Sequence, residues 1–212
     1  MTLVTVDPAA EIVGSYVSPG QYVHARIGPE TGYFVLAGAP GSSPWEFIMR
    51  AGGGVSDVLL AAPVGTALEV TPALGDGFPW AAVRGRPLVI ALGGTGVAAG
   101  RPLMDRRVAD GDATRTQIYL GIRMRSELPL AGDVEAWRRA GASVTLCWSS
   151  ANEPESADGA PGYVQDVLRA RGARSIPPDA YIFAVGLPTM VDALRELAPS
   201  LGIPWEHVRT NH

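Results

Sequence analysis

The 212-residue chain contains no lysine; all seventeen of its basic residues are arginines. That excludes a lysine nucleophile or a Schiff base. One cysteine, Cys147, is present, so no internal disulfide can form, and a reducing cytoplasm is the default expectation. Cys147 lies in the apolar run Ser143 to Trp148, where an inert buried thiol is expected rather than a reactive one. Three histidines and that cysteine show no ligand spacing, so neither a metal nor an iron–sulfur cluster is expected. No apolar run reaches the roughly 20 residues that span a bilayer, and the N-terminus lacks a basic segment followed by an apolar one. The net charge of −4 gives no general affinity for nucleic acid. Neither a Gly-x-Ser-x-Gly elbow nor carboxylates paired for hydrolysis occur.

What remains is a globular composition, 47% hydrophobic and 18% charged, in a chain long enough for one large domain or two small ones. Residues 1–84 read as short β-segments at Leu3–Val6, Gln21–Ile27, Tyr33–Ala37, Trp45–Arg50 and Leu68–Thr71. Turn signals such as Ser18-Pro19-Gly20 separate them, which suggests a small antiparallel barrel. One helix is expected within it, Asp57–Ala62, with Ser56 as its N-cap. Residues 85–212 follow a different pattern. Apolar strands at Leu88–Leu92, Gln117–Leu120, Ser143–Trp148 and Tyr181–Val185 alternate with helices at Ala98–Ala109, Asp133–Ala140, Gly162–Arg171 and Pro188–Ala198. Such alternation implies βαβ units and a parallel sheet covered on both faces. The polar stretch Ser149–Ala160 reads as a surface loop. The expected fold is therefore β + α/β: a small antiparallel Greek-key-type β-barrel over 1–84, then a Rossmann-like parallel α/β nucleotide-binding domain over 85–212.

The stretch richest in chemical meaning is Leu88 to Arg101. An apolar run ends in Gly93-Gly94-Thr95-Gly96 and passes directly into a helix. Glycines at that point let the backbone approach a ligand, and the helix start turns free N–H groups toward an anion. The same residues would also serve as a plain strand-to-helix connection.

Five motifs, in order along nearly the whole chain, resemble the ferredoxin–NADP reductase superfamily. They are Pro19-Gly-Gln-Tyr-Val23, Gly94-Thr-Gly-Val-Ala98 with Arg101, Tyr119-Leu-Gly-Ile-Arg123, Gly162-Tyr-Val-Gln165, and Val185-Gly186 with Met190. The resemblance implies FAD or FMN on the barrel and a nicotinamide dinucleotide on the α/β half. It carries cofactor contacts onto Phe34, Val35 and Leu36, onto Gly53, Gly54, Val55 and Ser56, and onto Gly94, Thr95, Gly96 and Val97. At the ends of later strands it adds Arg123, Ser149, Gly186 and Met190. His212, where relatives often end in an aromatic residue near the flavin, becomes the candidate catalytic group.

The pattern also breaks in places. The family's R-x-Y-S flavin motif falls on Gly32-Tyr33-Phe34-Val35, which removes the arginine that would contact the flavin phosphate. Ala99 and Val185 stand where the family has proline and cysteine. No arginine follows Trp148 to hold a 2′-phosphate, so NAD(H) is favoured over NADP(H). Two functions are expected from this. One is a flavin-dependent NAD(P)H oxidoreductase passing electrons through a loosely held FAD to an unidentified protein or small-molecule acceptor. The alternative is a reductase-fold protein without redox activity, acting as a nucleotide-binding or partner-binding subunit. The late start of the barrel would leave an edge for a homodimer or a partner chain.

Overall fold

Alternation of apolar and polar residues draws the first strands into two small antiparallel sheets. A computed structural model describes residues 1–150, 156–177 and 179–211. The barrel strands are β1 (Thr2–Val6), β2 (Tyr22–Ile27), β3 (Glu30–Val35), β4 (Trp45–Met49) and β5 (Glu69–Val70), with helices α1 (Ala10–Val13), α2 (Gly54–Ala61) and α3 (Trp80–Val83) between and after them. β1 pairs with β4, and β2 lies between β3 and β5. Val23 and Ala25 of β2 point inward, where they meet Phe34, Trp45, Phe47 and Met49 in one core, as a period of two requires. Tyr22 and His24 take the other face, beside Tyr33.

The second half contains β6 (Leu88–Gly93), α4 (Gly100–Ala109), β7 (Thr116–Ile122), α5 (Ala131–Arg139), β8 (Ser143–Trp148), β9 (Gly159–Pro161), α6 (Val164–Arg171), β10 (Tyr181–Val185), α7 (Pro188–Leu197) and β11 (Val208–Arg209). Its six strands form one parallel sheet in the order β11-β10-β6-β7-β8-β9. Leu88 to Leu92 are all buried, because apolar layers cover both faces of β6. One layer holds Leu103, Val134 and Trp137; the other holds Val167, Leu168, Val191 and Leu194. The first layer also takes in Ala37, Ile48 and Phe78 from the barrel. Phe78 stacks on Phe183 with ring centroids 4.3 Å apart, so the two halves share apolar packing.

Three expectations change. Ser56 is not an N-cap: α2 begins at Gly54, with Gly53 in the cap position. The glycine turn lets the helix start earlier, and Asp57 bonds the turn in place of Ser56. The polar stretch after β8 is not all loop, since Gly159–Pro161 pairs with Leu146–Trp148 as β9. The chain's own first strand pairs along all of β4, so the edge expected from a late start to the barrel is not vacant there.

Candidate functional site

From β6 the chain moves one way through β7, β8 and β9, whereas β10 and β11 lie on the other side of β6. Loops leaving neighbouring strands in opposite directions open a crevice at their carboxyl ends. At this reversal the loop after β6 meets the loop after β10, and the barrel forms the opposite wall. A cleft of about 930 Å³ results, lined by Gly94, Thr95 and Gly186 on one side and by Tyr33, Phe34 and Arg50 on the other. Its size falls within the roughly 300–1,000 Å³ of small-molecule sites.

The glycine loop is shaped by close approach. Gly94 has φ +57, which a side chain would strain. A Cβ on Gly96 would stand 2.8 Å from the carbonyl carbon of Val185 and closer still to its oxygen. Only glycine therefore lets the loop pass beneath the end of β10. Gly94–Ala99 forms a tight helical turn running straight into α4, and no side chain among the described residues caps it. Its amides are open to an anion. Met190 packs against Gly93 and Gly186, forming part of the floor. At the start of α6, on the same α/β side of the cleft, the buried side-chain oxygen Oε1 of Gln165 has no hydrogen-bond partner among the described residues. A ligand donor would satisfy it. These features fit a nicotinamide dinucleotide. Cys147 also reaches the cleft, but burial outweighs the pull of Arg171 and pushes its thiol up to about 12, so it stays protonated and unreactive.

The barrel wall is aromatic. Tyr33 is 70% exposed and meets Tyr22 edge-on at 5.8 Å. Phe34 turns largely inward, against Phe47. Behind this wall, a Cβ on Gly32 would overlap Val55 of α2. Helix α2 thus fills the space a longer residue at position 32 would need. The amides of Gly52 and Gly53 each donate to the Asp57 carboxylate at 2.9 Å. The glycine turn on the barrel is thus occupied by the chain's own acid, whereas no side chain among the described residues caps the turn after β6. Aromatic faces and cleft size fit a flavin ring, whereas position 32 offers no side chain to a phosphate.

One arginine fastens the two walls together. Arg101 on α4 donates to Glu46 of β4 at 2.6 Å and to Asp133 of α5 at 3.0 Å. With about a quarter of its side chain exposed, this pair holds better than a surface ion pair would.

Residues 90–196, half of the chain, match the family model of the oxidoreductase NAD-binding domain. The chain belongs to this ferredoxin reductase-like family. It is 27% identical over 222 residues to the fruit protein pKIWI502 of Actinidia deliciosa, an alignment covering 97% of this chain and 69% of that one. It is likewise 27% identical over 195 residues to the reductase component of the naphthalene 1,2-dioxygenase system of Pseudomonas putida, covering 90% and 58%. Against the latter relative, then, the chain spans little more than half the length. Among solved structures, the ferredoxin reductase of carbazole 1,9a-dioxygenase superposes with a TM-score of 0.78 at 22% identity, covering 98% of this chain and 63% of that one. A ferredoxin–NADP+ reductase from Neisseria gonorrhoeae with bound FAD and NADP gives 0.77 at 15%, covering 94% and 85%. At such identities the likeness is one of fold.

Of the residues that the family resemblance singled out, Phe34, Val35, Gly94, Thr95, Gly96, Arg123, Ser149, Gly186 and Met190 line the main cleft. Gly53 and Ser56 line a smaller cavity beside it. Leu36, Val55 and Val97 are buried and do not line the cleft, and neither does Gly54. His212, Ala151 and Asn152 lie outside the described residues. Just before the C-terminus, the amide of Asn211 donates to Gly20 O at 3.0 Å and the residue lines the cleft. Sequence reasoning missed Asn211, Tyr22, Tyr33, Arg50, Glu127 and Gln165. The period of two in β2 and β3 would have placed Tyr22 and Tyr33 on the outer face, and Gln165 ends the Gly162-Tyr-Val-Gln165 motif; no local pattern marks Asn211, Arg50 or Glu127.

Proposed function

We propose that this chain is an NAD(H)-dependent flavin oxidoreductase unit that passes electrons from the nicotinamide to an acceptor protein or small molecule. The observation that carries the reading is the single cleft shared by the uncapped glycine loop after β6 and the aromatic wall of the barrel. On one side the loop amides take the dinucleotide phosphates, Gln165 accepts a hydrogen bond from the nucleotide, and Met190 packs beneath the ring. On the other side Tyr33 and Phe34 line the flavin ring. A bound flavin supplies hydride acceptance and one-electron delivery. The chain's own part is to hold the two rings together and keep water out of the gap. Clamping by Arg101 preserves that spacing. NAD(H) is preferred because Ser149 offers no cation and Glu127 places a carboxylate in the cleft beside Arg123. Relatives described as a ferredoxin–NAD(P)+ reductase component and as an electron transfer subunit support an acceptor protein.

A second reading, a reductase fold without redox activity, is favoured by the closed position 32 and by Asp57 on the barrel turn. Calorimetric titration with FAD, NADH and NADPH separates the two. The oxidoreductase reading expects FAD and NADH to bind at micromolar concentrations. Binding of NADH without any flavin would transfer support to the second reading.

A further inference from the structure

We propose that the end of the α/β half opposite the cleft docks on an anionic membrane surface, through Arg84, Arg86, Arg106, Arg115 and Arg139. The cleft lies at the carboxyl ends of the strands, and this face lies at their starts. Helices joining parallel strands run back against them, so the last turns of α4 and α5 come level with the starts of β6, β7 and β8. Register keeps this end even: Leu88 pairs with Thr116, and Gln117 with Ser143. Arg84 and Arg86 precede β6, Arg115 precedes β7 in a short turn, and Arg106 and Arg139 lie in the last turns of α4 and α5. All five are exposed.

The face turns its cations outward and its acids inward. Asp110, with 10% of its side chain exposed, sits 3.8 Å from Arg84 and 3.7 Å from Arg106 and accepts from the indole N–H of Trp80. Asp112 is buried and accepts from the Gly85 amide. Arg86, Arg115 and Arg139 have no ion pair among the described residues. The segment carrying Arg84 and Arg86 is fixed from behind, because Arg107 donates to Val83 O and Arg86 O. Asp179, Glu196 and Glu206, exposed at this end, belong to the segments around β10, α7 and β11, on the other side of β6.

Charge without an apolar centre decides the partner. Protein interfaces are built around a charge-poor apolar core. From 80 to 86 and from 106 to 115, only Val108 is a large exposed apolar side chain. Lipid phosphates ask only for forked donors on an even surface, which arginine supplies. Each arginine near such a surface strengthens binding roughly fivefold. Residues 1–83 carry seven carboxylates and two arginines, so the same membrane repels the barrel and orients the molecule. The net charge of −4 does not cancel the attraction, because screening confines each charge to about 8 Å at physiological salt.

The test is sedimentation of the purified chain with vesicles of phosphatidylglycerol and phosphatidylcholine in equal parts, and with vesicles of phosphatidylcholine alone. Wild type should sediment with the mixed vesicles only, and less as salt rises. Arg84→Gln/Arg86→Gln/Arg115→Gln should weaken this binding roughly 100-fold; thermal melting checks that the variant folds. Arg26, Arg169 and Arg195 are exposed but paired with Glu69, Asp166 and Asp192. Changing these three to Gln removes the same charge and should leave binding close to wild type. Failure to sediment with the mixed vesicles, equal binding to both kinds, or equal losses in the two triple variants overturns the proposal. Tighter binding to a DNA duplex or to poly-L-glutamate than to the mixed vesicles also overturns it, by assigning the face to another polyanion.

Discussion

Replacing Gly96 by alanine puts the glycine loop to its most direct test. A Cβ at this position would lie 2.8 Å from the carbonyl carbon of Val185 and 3.0 Å from its Cγ1. Carbon contacts are most favourable at about 3.5–4.0 Å, so the loop or β10 must yield by about 0.7 Å or more. Neither side yields easily. Val185 is held in register with Leu92 by the parallel sheet, and Gly96 belongs to the helical turn that continues into α4. Overpacking of this kind costs about 1–3 kcal/mol, or about 2–12 °C in Tm for a chain of this size. The same displacement draws the Gly94–Val97 amides away from the phosphate. Losing one charge-assisted hydrogen bond corresponds to about 10- to 100-fold in NADH affinity. Gly94→Ala is the control: its Cβ meets nothing within 4 Å, so it should lose about 1–2 kcal/mol from left-handed strain alone. Urea unfolding and NADH calorimetry on both variants check the reasoning. Wild-type stability and wild-type NADH affinity in Gly96→Ala would refute it.

Other expectations follow from single side chains. The buried Arg107 guanidinium donates to Val83 O, Arg86 O, Asp112 O and Thr116 Oγ1, so Arg107→Met should cost about 3–5 kcal/mol in urea unfolding and leave NADH affinity of the folded protein unchanged. Asp105 has a raised pKa, first from desolvation, with Arg101 opposing and Asp133 and Glu46 adding to it. Its folded form therefore holds a proton more tightly than its unfolded form, and the ionised carboxylate lowers stability above the folded pKa. Asp105→Asn should raise Tm at pH 7, a gain that fades as the pH falls through that pKa toward the ordinary 3.8. Removing the cleft carboxylate in Glu127→Gln should raise NADPH affinity relative to NADH by roughly two- to fivefold, the scale of an exposed charge interaction; an unchanged ratio would remove Glu127 from coenzyme choice.

The parallel sheet was the most legible part of the chain. Ser143–Trp148 and Tyr181–Val185 occur within the limits read from their apolar runs, since a strand buried on both faces carries its signal in every residue. β9 and β11, three and two residues long, are too short to show a period. The glycine loop was legible because turn, strand and helix signals coincide there. Arg50, Asp57 and Gln165 were not, because their meaning depends on what lies across the cleft or is absent beside them. Gly32 is instructive. The missing arginine could be read directly, but that Val55 of α2 lies in the space a side chain there would need is a tertiary contact. Ser56 misled as a cap because a run of glycines shifted the helix start to Gly54.

The central claim is that one cleft brings a nicotinamide and a flavin together. Anaerobic rapid mixing of NADH with the FAD-reconstituted chain, followed by the flavin's visible absorbance, tests it most directly. NADH should bleach the flavin at a rate that saturates with nucleotide concentration and is much slowed in Gly96→Ala. A chain that holds FAD and binds NADH yet shows no bleaching would contradict it.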